Sequence, residues 1–508
     1  MNPARPAKSE DRRTTMAIIA RDISAAAASP FDLIIIGGGI YGIMLALEAG
    51  RRDKRALLLE KDDFGGATSL NHLRTVHGGL RYLQSLDLAR FFESVTERRW
   101  FLANFPALVQ VLPCLMPLYG RGLKRASIMR AGLRLNDCLG LKRNAGVATA
   151  KCLPQGKVVG KRFTRNAFPQ VDPKDLQASA LWYDAAAPEH QRLLMEILRW
   201  VCDLGATALN YVQGKNLLLH HGKVGGVLAS DNQSGQRFEF RAPIVINATG
   251  PWCRQLARKF DRDYPQLLRN RLLLFNILFK RKALSEYALA LIPPGRPDHT
   301  YFVHNWKGRL LAGTAEIPVA AENENPAPRP EDILDFIANM NDAVPELLLT
   351  EKDIEHVYAG ILPATATGKL SGREMILDHG TQGGPAGLFS VSGVKYTTSR
   401  LVAEKTMKKV FPGCKVKKIS PPAAANSGRW FFAYDWQEAA EDDFAGLKSL
   451  IEEEAVVHLD DLVFRRTGLG ENRRCVVELL PRLRSLFSWN DGRWQQECER
   501  LLEQIQPR

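Results

Sequence analysis

Five of the six positions in 31–36 are apolar, Asp32 being the exception, and a run of that length reads as a strand buried on both faces. Residues 40–49 continue as a helix and 56–60 as a second strand, so a βαβ unit lies near the start of the chain. Over 87–105, Leu88, Phe91, Phe92, Val95 and Leu102 fall on helical spacing. A basic stretch of irregular pattern follows to about Arg165. Another helix is predicted over 189–204, then strands over 206–212, 224–229, 237–240 and 244–248. Short apolar runs with aromatic residues between 270 and 316, such as 272–279 and 301–303, predict a largely antiparallel sheet facing a substrate. Pro326, Pro328 and Pro330 mark 321–330 as an exposed loop. Beyond Pro421 and Pro422 the pattern turns helical, with 445–462 and 475–487 the clearest candidates, and no internal repeat is visible.

With 508 residues, 45% apolar and 24% charged, the chain has material for a large core and for two or three domains, which excludes a disordered or fibrous protein. Lys plus Arg outnumber Asp plus Glu by 69 to 55, a net charge of +14. That excess suits an anionic substrate, acidic lipid or nucleic acid and does not choose among them. Basic residues cluster over 121–143, but without the interleaved aromatics of a single-strand platform, so nucleic acid is not expected as a partner. Peripheral membrane contact remains open.

The eight cysteines show no C-x-x-C pair, which points to a reducing, cytoplasmic compartment and gives no metal site. The uncharged stretches 33–47 and 105–120 are too short or too interrupted by proline to span a bilayer. Residues 1–30 mix both charges without a long apolar run and are expected to form a flexible leader; a basic, membrane-touching segment is the other reading.

Gly37, Gly39 and Gly42 fit G-x-G-x-x-G between the first strand and its helix. The first glycine makes the tight turn, the second lets a pyrophosphate approach, and the third packs helix on strand. Glu60 ends the next strand, 23 residues after Gly37, where a carboxylate accepts both hydroxyls of an adenosine ribose. That unit alone leaves NAD and FAD open. Further glycine turns near 65, 250 and 393, the last followed by a helix start at Thr397, suit the longer FAD.

These residues, with Ala67-Thr68-Ser69 and Val76-His77-Gly78-Gly79-Leu80-Arg81-Tyr82-Leu83, resemble the FAD-dependent (aerobic) glycerol-3-phosphate dehydrogenases, within the D-amino-acid oxidase-like flavoproteins. The resemblance runs from about Phe31 to residues 458–467 and implies an α/β fold: a discontinuous Rossmann-like FAD-binding domain (31–110, 175–265, 350–412), a β-rich substrate domain (111–174, 266–349) and a helical C-terminal domain (413–508). It implies that Gly37, Gly38, Gly39, Ile40, Tyr41, Gly42, Glu60 and Lys61 hold pyrophosphate and ribose, and that Val212 borders the adenine. Thr68, Ser69, His77, Gly78 and Gly79 would approach the flavin, with Thr249, Gly250, Gly393, Lys395, Tyr396 and Thr397 completing the cradle.

The chemistry implied is hydride removal from a CH–OH or CH–NH carbon to flavin, then electron passage to a quinone or oxygen. Arg81, Arg373 and Lys395 match a basic substrate pocket. His77 and Tyr82 are secondary candidates, His77 either shaping its turn or moving a proton.

Two departures bear on the substrate. Leu362, in Gly360-Ile361-Leu362-Pro363, stands where the resemblance leads one to expect an arginine, and a Ser-His pair falls, by a looser correspondence, on Asn276-Ile277. A bidentate phosphate partner is thereby lost. The expected substrate is a small anionic hydroxy or amino compound, altered from glycerol 3-phosphate; a flavin-binding protein without turnover is the alternative.

Overall fold

The computed structural model describes residues 17–120, 122–264, 270–320, 323, 326–365, 367–422, 442–471 and 473–505. After a short helix α1 (Ile23–Ala27), the predicted βαβ unit forms from β1 (Leu33–Ile36), α2 (Ile40–Gly50) and β2 (Ala56–Leu59). Every residue of β1 and β2 is buried, as a central parallel strand requires. Then come β3 (Thr75–Val76), α3 (Leu80–Gln84), α4 (Leu88–Asn104), β4 (Gln110–Leu118), α5 (Ala126–Leu139), β5 (Lys157–Gly160), α6 (Lys161–Ala167), β6 (Ala178–Ala186) and α7 (His190–Asp203).

Four strands follow, β7 (Thr207–Leu209), β8 (Val212–His220), β9 (Lys223–Asp231) and β10 (Arg237–Arg241), before β11 (Val245–Asn247) and α8 (Cys253–Phe260). The predicted antiparallel region forms β12 (Asn270–Lys282), β13 (Ala288–Leu291), β14 (Tyr301–Trp306) and β15 (Arg309–Val319), backed by α9 (Pro330–Ala343). The chain continues through β16 (Ile354–Ala364), β17 (Met375–Asp378), β18 (Leu388–Ser392) and α10 (Ser399–Val410) to α11 (Asp442–Glu453), α12 (Arg473–Leu483) and α13 (Asp491–Ile505).

Among the described residues these strands make three sheets. The first runs β17-β18-β11-β1-β2-β7, parallel except for β17, with α2 packed between it and α7 and α10. The second is the β8–β9–β10 meander. The third runs β16-β12-β15-β14-β13-β4-β6-β3, with β5 on β6. One face of this large sheet buries Phe275, Ile277 and Phe279 against Phe336 and Met340 of α9; the other turns Leu278, Trp306 and Tyr358 toward Leu73. That second face meets the segment between β2 and β3.

Several expectations change. Residues 17–30 are not a frayed leader: Ile19 and Ala26 are buried, the Ile19 N–H donates to the Glu453 carbonyl at 2.8 Å, Arg21 pairs with Asp231, and the Asp22 carboxylate caps α1. Residues 110–165 are not irregular but supply β4, α5, β5 and α6. The strand expected over 206–212 breaks after Leu209, and β8 begins where it was expected to end. The helix expected over 445–462 stops at Glu453. Sheet membership also moves two boundaries, since β6 and β16, expected in the FAD-binding part, belong to the large sheet.

The C-terminal helices bury their own apolar cluster, including Leu462, Leu479 and Leu501, and grip the nucleotide sheet through charge. Asp63 accepts from Arg465 Nε at 2.6 Å, Arg466 Nη1 at 2.6 Å and Asn210 at 2.9 Å. Glu454 takes Arg192 at 2.6 Å and Arg199 at 3.0 Å. Charges this deeply buried persist only when paired, so the clasp fixes where the module sits.

Candidate functional site

The parallel strands β2, β1, β11 and β18 end at one edge, where open α/β sheets place their ligands. A cleft of about 760 Å³ opens there, within the size range of cofactor sites. Gly37 holds φ +111°, and a Cβ on it would lie 2.6 Å from the Ala248 carbonyl oxygen. A Cβ on Gly42 would fall 1.8 Å from the Gly37 oxygen, so α2 can leave the turn this closely only with glycine. Gly39 is different: its missing Cβ would meet only Ser69 Oγ, at 3.2 Å, leaving its approach open. Ser69 Oγ accepts the Ile40 N–H at 3.0 Å, tying the Thr68–Ser69 loop to the start of α2.

Glu60 is braced from two sides. Its carboxylate accepts the Gly38 N–H at 2.6 Å and the Asp62 N–H at 3.0 Å. Burial raises its pKa, and these two hydrogen bonds oppose that. Each oxygen keeps a lone pair for a ribose hydroxyl. The Val212 N–H donates to the Glu60 carbonyl at 2.7 Å, which brings β8 to the same end, and Lys61 lies over the Trp252 ring at 4.9 Å. Asp460, Arg465, Arg500 and Gln504 of the C-terminal module also line the cleft here. Sequence reasoning missed them because only the docked module brings them within reach.

At the far end Gly393 faces Tyr41, whose ring a Cβ would strike at 1.8 Å. The Tyr41 hydroxyl donates to the Lys395 carbonyl at 2.8 Å and accepts the Lys395 N–H at 3.1 Å, pinning the 393–397 loop to α2. Thr397 Oγ1 accepts the His77 N–H at 3.2 Å. The Gly78 N–H donates to Asp184 at 2.6 Å, which also takes Arg98 at 2.6 Å; a Cβ on Gly78 would collide with that guanidinium. Gly79 turns into α3 at φ +85°.

Lys395 Nζ sits 3.9 Å from the Tyr82 ring centroid. Burial, then the Arg81 charge, pull its pKa down to about 8. The His77 ring is half-exposed, with Nδ1 4.0 Å from Asp184; desolvation by the surrounding protein lowers its pKa against the pull of Asp184, with Lys395, Arg81 and Arg98 adding to the lowering. Arg373 flanks Lys395 in a small side cavity with Arg90 and Glu374.

Of the expected cofactor residues, Gly37, Gly39, Ile40, Tyr41, Glu60, Lys61, Thr68, Ser69, Val212, Thr249, Gly250, Gly393, Lys395 and Tyr396 line the main cleft. Gly38, Gly42, Gly78, Gly79, Thr397, His77, Arg81, Tyr82 and Arg373 are not among its lining residues.

Leu362 lines the cleft from β16, beside Ile361, whose carbonyl accepts from Thr68 Oγ1 at 3.2 Å. Asn276 is engaged elsewhere, donating to the Asn71 carbonyl at 3.1 Å and accepting from Thr314 at 2.9 Å. Ile277 belongs to the core beneath α9. Open glycine backbone, a braced carboxylate with free lone pairs and a cationic far end fit an elongated, doubly anionic dinucleotide.

The family described as FAD dependent oxidoreductase matches residues 32–407. A glycerol-3-phosphate dehydrogenase of Synechocystis is 29% identical over 414 residues, covering 77% of this chain and 71% of that protein. The mitochondrial glycerol-3-phosphate dehydrogenase of Schizosaccharomyces pombe is 29% identical over 432 residues, covering 77% and 64%; the chain thus matches less than two thirds of that relative's length. Among solved structures, the glycerol-3-phosphate dehydrogenase of Bacillus halodurans complexed with FAD superposes with a TM-score of 0.70 at 21% identity, over 95% of this chain and 96% of that one, which shows a shared fold. The chain is an enzyme of the FAD-dependent oxidoreductase family.

Proposed function

We propose that this enzyme oxidises a CH–OH or CH–NH carbon of a small anionic metabolite and that its substrate is not glycerol 3-phosphate. The observation that carries this reading is Leu362, an apolar side chain in the cleft wall at the position where the resemblance calls for a phosphate-binding arginine. Leucine offers no donor to a phosphate, whereas Lys395, Arg81 and Arg373 retain cationic groups beside the same end. A carboxylate-bearing hydroxy or amino compound suits that balance.

Bound FAD supplies the hydride acceptor. The turn from Gly37 to Tyr41, with Thr68 and Ser69, would hold its pyrophosphate, Glu60 its ribose, Val212 its adenine, and the loop from Gly393 to Tyr396 with Thr249 and Gly250 the remainder of the cradle. Lys395, steadied over Tyr82, and Arg81 would bind the substrate anion and favour negative charge as it develops. His77, whose lowered pKa keeps it neutral near pH 7, would take the hydroxyl or ammonium proton on a ring nitrogen as the carbon loses its hydride, leaving C=O or C=N.

The electrons would pass to a quinone or oxygen. The cytoplasmic face of a membrane suits the first, and α5 supports that contact. It buries Met129 and Leu133 yet leaves Ile128 and Leu135 exposed beside Arg125, Arg130 and Arg134, a pairing that favours anionic lipid. No helix among the described residues is long and apolar enough to cross a membrane. Co-sedimentation with anionic vesicles at low salt, lost at high salt, would support peripheral contact; no sedimentation at low salt would end it.

Replacing Leu362→Arg tests the substrate reading. Anaerobic flavin reduction by glycerol 3-phosphate should rise about tenfold or more as a charge-assisted contact is restored. A parent enzyme already reduced by glycerol 3-phosphate at an ordinary enzymatic rate would refute it.

A further inference from the structure

Arg74 is 1% exposed and carries a charge with no acidic partner among the described residues. Its guanidinium lies between two rings, 4.4 Å from Trp306 and 4.2 Å from Tyr358, and Nη1 donates to the His72 carbonyl at 3.0 Å. Nε has no partner. The histidines nearby add no counter-charge: burial first, then Arg74, hold His72 at about 3 and push His190 well down. A buried cation without an anion is costly, and aromatic faces offset that only in part.

A cavity of about 90 Å³ adjoins Arg74 where the large sheet, α7 and the C-terminal module meet. Its wall carries unpartnered polar atoms of both kinds. Arg74 Nε and Gln191 Nε2 are donors. His190 donates from Nε2 to the Leu70 carbonyl at 2.9 Å and has the Pro188 carbonyl as a second backbone neighbour, so its ring is taken up by backbone. Glu355, paired through its other oxygen with Arg309, presents Oε2 as the unpartnered acceptor. Buried polar groups of this kind call for a hydrogen-bonding partner.

We infer that this cavity is a second ligand site, separate from the flavin cleft, which binds a small oxyanion that also carries a hydrogen-bond donor: hydrogen phosphate or a hydroxycarboxylate. The anionic oxygens meet Arg74 and Gln191, and the ligand hydroxyl meets Glu355 Oε2. The site does not depend on the reading of the flavin chemistry, and its occupant neutralises the guanidinium at the three-way junction.

The test is calorimetric titration of the FAD-loaded enzyme at matched ionic strength. The probes are inorganic phosphate, sulfate as its isostere without a proton, 2-hydroxyisobutyrate, which has no hydride to lose at its carbinol carbon, and pivalate, which lacks the hydroxyl. Phosphate should bind about tenfold or more tightly than sulfate, or 2-hydroxyisobutyrate than pivalate, and which pair discriminates names the ligand class. Binding should survive Lys395→Met and vanish in Arg74→Gln. Gln191→Leu, which keeps the guanidinium, should weaken it about tenfold. No saturable binding, equal binding within both pairs, loss in Lys395→Met, or parent affinity in Gln191→Leu would each overturn the inference.

Discussion

Lys395 carries the sharpest pH signature. With its pKa near 8, the ammonium present at neutral pH is lost as pH rises through that value, and with it the attraction for an anionic substrate. The kcat/KM for flavin reduction should therefore fall above about pH 8. Lys395→Met should retain FAD, reduce it about 10²-fold more slowly and show no such limb, in line with the loss of one preorganised electrostatic group. An unchanged rate or an unchanged alkaline limb in the variant would remove the lysine from the mechanism.

At this scale the glycines and Glu60 were legible because the contacts that demand them are local or follow a known spacing. Arg74 was not: its meaning lies in Trp306 and Tyr358, more than two hundred residues away in the chain. Asp184, whose carboxylate supports the Gly78 turn, likewise had no signal in sequence.

Among elements, α2 is held by a buried charge network as well as by apolar contacts. Arg400 of α10 pairs with Glu97 of α4 at 2.5 Å and with Glu48 of α2 at 3.4 Å, both carboxylates fully buried. Removing one partner strands the others, so Arg400→Met should cost about 3–5 kcal/mol of stability, measured by denaturant unfolding. A loss under about 1 kcal/mol would mean the network is solvated.

Helix α4 forms as its spacing predicts and buries Phe91, Val95 and Leu102, but Leu88 and Phe92 stay exposed. The βαβ unit could be read from pattern because its strands bury unbroken apolar runs. Strand β4 could not: Pro113 and Pro117 argue against a strand, yet β6 pairs along it and β13 joins only at Cys114 and Leu115. The helix α5 was hidden by its arginines, which stay on its exposed side.

Across the whole molecule, the C-terminal module both docks on the nucleotide sheet and contributes to the cleft wall. Burial would raise the Asp63 carboxyl, but Arg466 and Arg465 overcome it and hold the pKa well below the carboxylate range. Asp63 therefore adds stability that is full above the unfolded-state pKa of about 3.9 and drains away as pH falls below it toward the folded value. Asp63→Asn should cost about 3–5 kcal/mol and weaken FAD retention during gel filtration, since Arg465 and Arg500 border the cleft. Full retention with parent stability would show the module to be a bystander. The helical C-terminal region could be drawn from sequence, but not the clasp, whose partners are 402 and 403 residues apart.

The most direct test of the account is stopped-flow anaerobic reduction of the FAD-loaded enzyme by matched substrates: 2-hydroxy acids, amino acids and glycerol 3-phosphate. A carboxylate-bearing hydroxy or amino compound should bleach the flavin at an ordinary turnover rate and far faster than glycerol 3-phosphate. Fastest bleaching by glycerol 3-phosphate, or no bleaching by any of them, would contradict it.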